Sequence, residues 1–450
     1  MSRLLTLLGI LVLLFFGALM YALWPTTTRA IAPAKSAETD TLAVERGRYL
    51  AVAGDCTACH TGPGGKPFAG GLAIASPVGT IYSTNITPDR EAGIGAYTLD
   101  DFDRAVRHGI GKKGGSLYPA MPYPSYARIT DEDIAALYSY FMHGVQPVQT
   151  PKRTNAITWP LSIRWPLAIW RKLYAPAPDT PPFNAARFSD PQVARGAYLV
   201  EGPGHCGTCH TPRALTLQEK ALDDSSMVFL AGGQVIDGWV AVNLRGNTAD
   251  GLGAWSKEDI VATLRTARNA AHAVVGAPMN DVVVHSTQQL HDEDLQAIAA
   301  YLKTLAPSAG DQTKFAANPA TGAALAAGNE SGRGAQLYDD NCAACHRSDG
   351  GGSRNVLPSI AGNPTVLSAD PNTLVRLVLD GSSLPGTAAA PSPLGMPGFG
   401  WRLSNAEVSD LLTFIRSNWG NQASGVSAGD VARIRASLDA EHAAMIAAAH

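Results

Sequence analysis

Six cysteines stand in this sequence, and every one belongs to a Cys-x-x-Cys-His string. The strings are Cys56-Thr57-Ala58-Cys59-His60, Cys206-Gly207-Thr208-Cys209-His210 and Cys342-Ala343-Ala344-Cys345-His346. Two thiols three residues apart sit on adjacent corners of one helical turn, where each can form a thioether with one vinyl group of a haem. The histidine that follows then lies under the iron. Three such strings, with no cysteine left over for a disulfide, predict three covalently attached haem c groups, with His60, His210 and His346 as iron ligands. A thioredoxin-like dithiol fits less well, because it wants a preceding strand and has no use for the adjacent histidine. Structural zinc needs four ligands per site, whereas each string offers three in a cramped turn and the strings lie roughly 140–150 residues apart.

A histidine-ligated haem iron takes its other axial ligand on the opposite face, and three methionines are placed for it. Met121 lies in Pro119-Ala120-Met121-Pro122, Met279 in Ala277-Pro278-Met279-Asn280 and Met396 in Gly395-Met396-Pro397, each 50–69 residues after its motif histidine. A methionine beside proline in a polar loop is not part of a helical core stripe, and a thioether opposite histidine raises the reduction potential. Met20, Met142, Met227 and Met445 lack that context and read as packing or surface residues. The spare histidines His108, His143, His205, His272, His285 and His291 read as structural or surface residues.

The elements that must hold these groups repeat three times. A short helical stretch with a glycine precedes each motif, at Gly47, Gly196 and Gly334; a mid-helix glycine costs about 1 kcal/mol, which predicts another helix crossing closely there. After the motifs the first two repeats keep register at an offset of 158 residues through Asn85/Asn243, Gly93/Gly251, Gly95/Gly253, Asp101/Asp259 and Met121/Met279. Each methionine is followed by helix-start signals and an apolar stripe. The starts are Thr130-x-x-Asp133, His291-Asp292-Glu293-Asp294 and Ser404-x-x-Glu407, with further starts at Thr98-x-x-Asp101 and Ser256-x-x-Asp259. The predicted fold class is therefore all-α: three tandem units of opening helix, motif, long loop, methionine and closing helix. The units are bounded at 43–146, 186–305 and 329–420. A unit of roughly 100 residues has little core of its own, so its cofactor is part of the fold.

Composition agrees and excludes other classes. A chain of 450 residues at 46% hydrophobic folds, while Gly and Pro together make one residue in six, which favours short helices joined by long turn-rich loops. The formal charge of −3 gives no electrostatic case for nucleic acid. Residues 1–24 include an uncharged stretch from Leu4 to Trp24, about 30 Å as a helix, long enough to cross a bilayer and longer than a usual signal core. A retained membrane anchor is the reading favoured over a signal, for which Ala32-Pro33-Ala34 offers a cleavage site. Residues 25–42 form a polar tether, 306–328 an Ala/Gly/Pro linker and 421–450 a C-terminal tail. Residues 147–185 make a Pro- and Trp-rich connection holding Trp159, Trp165 and Trp170. It reads as a strap over the first two units, with a docking or membrane-surface patch as the other reading.

Each repeat resembles a class I cytochrome c domain, and the chain is similar over about residues 43–420 to the tri-haem cytochrome c subunit of bacterial membrane-bound dehydrogenases, of the alcohol dehydrogenase and gluconate 2-dehydrogenase type. The resemblance rests on the three motifs, on Asn85-Ile86-Thr87-Pro88-Asp89, on Tyr118-Pro119-Ala120-Met121-Pro122-Tyr123 and on Leu394-Gly395-Met396-Pro397. It implies an electron-transfer subunit in the inner membrane with its haem domains on the periplasmic side. Electrons would come from a catalytic dehydrogenase subunit of PQQ, flavin or molybdenum type and pass to ubiquinone or a terminal oxidase. The alternative is a multihaem enzyme, peroxidase-like or thiosulfate dehydrogenase-like, which needs an open or unusually ligated iron. With a methionine offered in every repeat, no open site is evident.

Overall fold

The computed structural model describes residues 2–31, 40–270, 274–309 and 315–449. His272 and the Ala32-Pro33-Ala34 sequence lie outside the described residues. The chain divides into two compact units, one of residues 1–189 with 198–208, the other of 190–197 with 209–450.

In each repeat an opening helix crosses a closing helix, and the crossing is set by the glycine of an Arg-Gly pair. The opening helices are Thr41–Ala53, Pro191–Glu201 and Arg333–Asn341; their closing partners are Asp131–Ser139, Asp292–Thr304 and Asn405–Ser417. A Cβ on Gly47 would overlap the carbonyl of Ala136, one on Gly196 that of Ala297, and one on Gly334 that of Asp410. The close helix crossing expected from the mid-helix glycines is present in all three repeats.

The arginine beside each glycine ties the pair together. Arg46 donates to Asp133 (2.6 Å), Arg195 grips Asp294 with two bonds of 2.7 Å, and Arg333 donates to Glu407 (2.6 Å). The three acids occupy the same position, the third residue of the closing helix. Glu407 also closes a capping box with Ser404, as do Asp101 with Thr98 and Asp259 with Ser256. Asp133 does not return a bond to the Thr130 amide, because Arg46 and the Tyr198 hydroxyl take its carboxylate. His291 makes no side-chain cap at all.

The apolar stripes pack inward as the periodicity requires. Ile134, Leu137 and Phe141 join Leu50, Phe102 and Ile129 in the first core, while Val408, Leu411, Leu412 and Ile415 join Leu337, Tyr338 and Trp419 in the third. Helices make the framework, but the expectation of an all-α chain misses seven short strands among the described residues. All are antiparallel and two to four residues long: Ala73–Ile74 with Gly79–Tyr82 and Ala156–Ile157, Val235–Ile236 with Trp239–Val240, and Gly381–Leu384 with Leu394–Pro397. Gly- and Pro-rich loops crossing a small domain satisfy their backbone groups in such local pairs. In the second unit the last hairpin supplies Leu384 to a cluster with Ala267 and Val283, and Asn280 donates to the Ser383 carbonyl (2.8 Å).

Candidate functional site

The first motif is the helical turn Cys56–His60; the second and third are the turns Gly207–His210 and Ala343–His346, with Cys206 and Cys342 directly before them. The approach to each turn differs with the spacing from the glycine, which is nine, ten and eight residues. In the third repeat the opening helix ends at Asn341, directly against Cys342. In the first two the extra residues are absorbed by a left-handed residue just before the first cysteine, Asp55 (φ 50°) and His205 (φ 38°). None of the six cysteines is joined to another by a disulfide. Burial pushes the Cys56 and Cys342 thiols up to about 12 and raises Cys209 as well. A redox dithiol needs the opposite shift, so that reading loses its chemistry. Among the described residues no three His, Cys, Asp or Glu side chains converge as a metal-holding group.

The three motif histidines share one geometry. Nδ1 of His60 lies 2.7 Å from the Thr84 carbonyl oxygen, that of His210 2.7 Å from Val242 O and that of His346 3.0 Å from Pro358 O. A carbonyl only accepts, so Nδ1 carries the proton and donates it, and Nε2 keeps its lone pair. Burial lowers the pKa of all three imidazoles against the opposing effect of these bonds, which favours the neutral, ligating form. A glycine secures each arrangement. The amides of Gly70, Gly232 and Gly352 donate to the backbone carbonyls of His60, His210 and His346, at 2.7, 2.7 and 3.1 Å. All three glycines are left-handed, and a Cβ on any of them would strike the backbone beside or at the carbonyl group that holds the imidazole. Paired thiols on one turn, followed by a neutral imidazole with its tautomer fixed, fit a covalently bound haem.

The sequence reading missed these partners, since the glycines follow their histidines by ten, twenty-two and six residues. One signal was present. Thr84 and Val242 are 158 residues apart, directly before Asn85 and Asn243 of the duplicated register. Those asparagines fold the chain just beyond the carbonyl, accepting from the amides of Thr87 (2.8 Å) and Arg245 (2.9 Å).

The three methionines are all half-buried and stand on different backbones. Met121 is in a turn, its carbonyl accepting from Tyr123, and packs with Cys56 against the first core. Met396 packs against the core that contains Cys342. It is not in a loop, because it pairs with Ser382 in the last hairpin. Met279 opens the helix Met279–His285 instead of ending a loop. Of the spare histidines, His108 is buried 3.6 Å from Asp103, and His205 stacks edge-on against Tyr126 with ring centroids 5.5 Å apart. Both have structural surroundings.

A family model for cytochrome c matches residues 44–144, 193–306 and 331–419. This chain belongs to the cytochrome c family. It is 54% identical over 396 residues to the gluconate 2-dehydrogenase cytochrome c subunit of Pantoea cypripedii, covering 87% of this chain and 89% of that one. It is 50% identical over 423 residues to the cytochrome c subunit of a quinone alcohol dehydrogenase from Gluconacetobacter polyoxogenes, covering 93% and 89%. With the fructose dehydrogenase cytochrome subunit of Gluconobacter japonicus the identity is 38% over 415 residues, covering 87% and 82%. Each stretch matched by the cytochrome c model contains one Cys-x-x-Cys-His string and the carbonyl that holds its histidine.

Proposed function

We propose that this cytochrome c chain carries three haem c groups and relays electrons one at a time from a catalytic dehydrogenase subunit to ubiquinone or a terminal oxidase. Cys56/Cys59, Cys206/Cys209 and Cys342/Cys345 hold the three haems, and the axial pairs are His60 with Met121, His210 with Met279 and His346 with Met396. The N-terminal helix Ser2–Leu23 holds the chain in the inner membrane, with the haem domains on its periplasmic side. The observation that carries the reading is the threefold motif turn with its histidine pinned at Nδ1 by a backbone carbonyl. The relatives' names, cytochrome subunits of dehydrogenases acting on gluconate, alcohol and fructose, support a catalytic partner of that class.

Bound haem supplies a one-electron centre that changes oxidation state with little movement of its ligands. What the chain contributes is fixity. The thioethers tether, the carbonyl–imidazole bonds prevent ring rotation, and burial keeps the imidazoles neutral. A methionine held opposite each histidine would leave a substrate no position on the iron.

Haem iron per denatured polypeptide, measured by pyridine haemochrome, is expected to be three; two or fewer overturns the assignment. The purified chain should oxidise no alcohol, sugar acid or aldehyde with an artificial acceptor, yet be reduced rapidly once a catalytic subunit is added. Turnover by the homogeneous chain alone would instead mark a multihaem enzyme.

A further inference from the structure

The connection after the first repeat leaves large apolar side chains uncovered. Trp159 is 80% exposed, and Leu161, Ile163 and Leu173 are exposed as well. Trp170 packs edge-on against the buried Tyr123, with ring centroids 6.3 Å apart, as a strap over the first unit would, but covering that unit does not account for the exposed Trp159 end. Its helix, Pro166–Tyr174, is fastened to the C-terminal end of the helix Ser2–Leu23. Lys172 Nζ donates to the carbonyls of Tyr21 (2.5 Å) and Trp24 (2.8 Å), where a cation meets the negative end of the helix dipole. The Arg171 guanidinium donates to Thr26 Oγ1 (3.0 Å) and Ser116 Oγ (3.1 Å). Trp165 stands edge-on to Phe15, with ring centroids 5.8 Å apart.

These contacts fix a depth. Phe15 precedes Leu23 by eight residues, which places it about 12 Å along the helix from that end. Trp165, beside Phe15, is therefore level with the apolar interior of the span, while Lys172 and Arg171 are level with its polar end. Arg164, next to Trp165, is spent on the Ser116 carbonyl, and Asp179 is the connection's single acid. Cations at the headgroup level and Trp, Leu and Ile below it are what an interfacial segment presents to a bilayer.

We propose that residues 158–174 lie in the lipid bilayer itself, in the leaflet at the C-terminal end of Ser2–Leu23, with Trp159, Leu161 and Ile163 among the acyl chains and Arg171, Lys172 and Leu173 at the headgroup level. The occupant of this apolar surface is lipid, because the surface is continuous with a helix whose own apolar side chains are exposed along its length. The proposal rests on that helix being a retained anchor. It also orients the first repeat. Arg164 donates to the Ser116 carbonyl (2.6 Å) and lies 4.3 Å from the Tyr118 ring centroid, so the Met121 turn is held toward the membrane.

The test places the photoreactive residue p-benzoylphenylalanine at Leu161 or Ile163 of the full haem-loaded chain, in vesicles of phosphatidylethanolamine and phosphatidylglycerol. Leu11 in the span and Glu132 on the surface serve as references. All four are exposed positions, and haem content per chain verifies each variant. Lipid adducts at Leu161 and Ile163 are expected within about twofold of Leu11 and about tenfold above Glu132. Adducts at Leu11 with only the Glu132 background at 161 and 163 would overturn this proposal and leave the anchor standing. No adducts at Leu11 would overturn the anchor together with it. In native membranes, adducts to another polypeptide in place of lipid would overturn the proposal and assign the surface to a protein partner.

Discussion

Asp133 shows how much one side chain can carry in this chain. Its carboxylate is almost fully buried and accepts from Arg46 and from the hydroxyl of Tyr198, itself buried. Arg46 is more than half exposed, but removing it leaves a buried carboxylate without its cation, so Arg46→Ala should cost about 1–3 kcal/mol. Asp133→Ala removes the acceptor of the Tyr198 hydroxyl, which still accepts from the Thr130 amide, and should cost about 1–3 kcal/mol, read as a drop in thermal midpoint of the haem-loaded chain. The equivalent acid of the third repeat, Glu407, is set for a pH test. Bonds from the Ser404 amide and then Arg333 hold its carboxyl at about 2. Its contribution is complete above the ordinary glutamate range and is lost as the pH falls through about 4.5 toward 2. Glu407→Gln lacks it throughout, so the variant should be less stable than the parent at pH 6 and converge with it near pH 2, followed by circular dichroism. At the iron, Met279→His should lower one reduction potential and leave two nearly unchanged, since the axial ligand is a main determinant of potential. A redox titration with all three potentials unaltered would remove Met279 from the ligand set.

At the scale of elements, Gly196 is the clearest case of a local choice dictated by a neighbour. Ordinarily alanine in place of a helical glycine is stabilising. Here the Cβ would meet the Ala297 backbone, which cannot swing away as a side chain can, so Gly196→Ala should destabilise by about 1–3 kcal/mol and reduce haem incorporation. Unchanged incorporation and thermal stability would show that the helices can separate at no cost. These crossings were legible in the sequence because the Arg-Gly pair recurs eight to ten residues before each motif. Closing helices were legible through their stripes and caps. The hairpin bearing Met396 was not, since Gly381–Leu384 and Leu394–Pro397 have neither alternation nor β-branched enrichment and are paired by context. Nor were the carbonyls that hold the histidines, because a backbone oxygen has no sequence signature and the loops that deliver Thr84, Val242 and Pro358 differ in length.

For the whole molecule, the decisive question is whether the N-terminal helix belongs to the working protein. Length alone does not separate an anchor from a leader, since both are apolar and both stand at the N-terminus. The contacts made by residues 26–31, just past the helix, support the anchor. Ile31 is 6% exposed and sits in the first core with Leu50 and Phe102, and Arg29 makes a two-bonded pair with Asp131, both at 2.8 Å. Arg171 is buried with Thr26 as a partner, and Lys172 is spent on carbonyls at the end of the helix. Cleavage after Ala34 would remove Ile31 from the core, unpair Arg29 from Asp131, cost Arg171 its Thr26 partner and take from Lys172 the carbonyls it binds. A leader has no reason to be built into the packing of the domain it precedes. The mature chain should therefore retain residues 2–31, resist extraction from membranes by alkaline carbonate, and give an intact mass that includes them together with three haems. A mature N-terminus at Lys35 would contradict this, and would require the first core to close over the space that Ile31 fills.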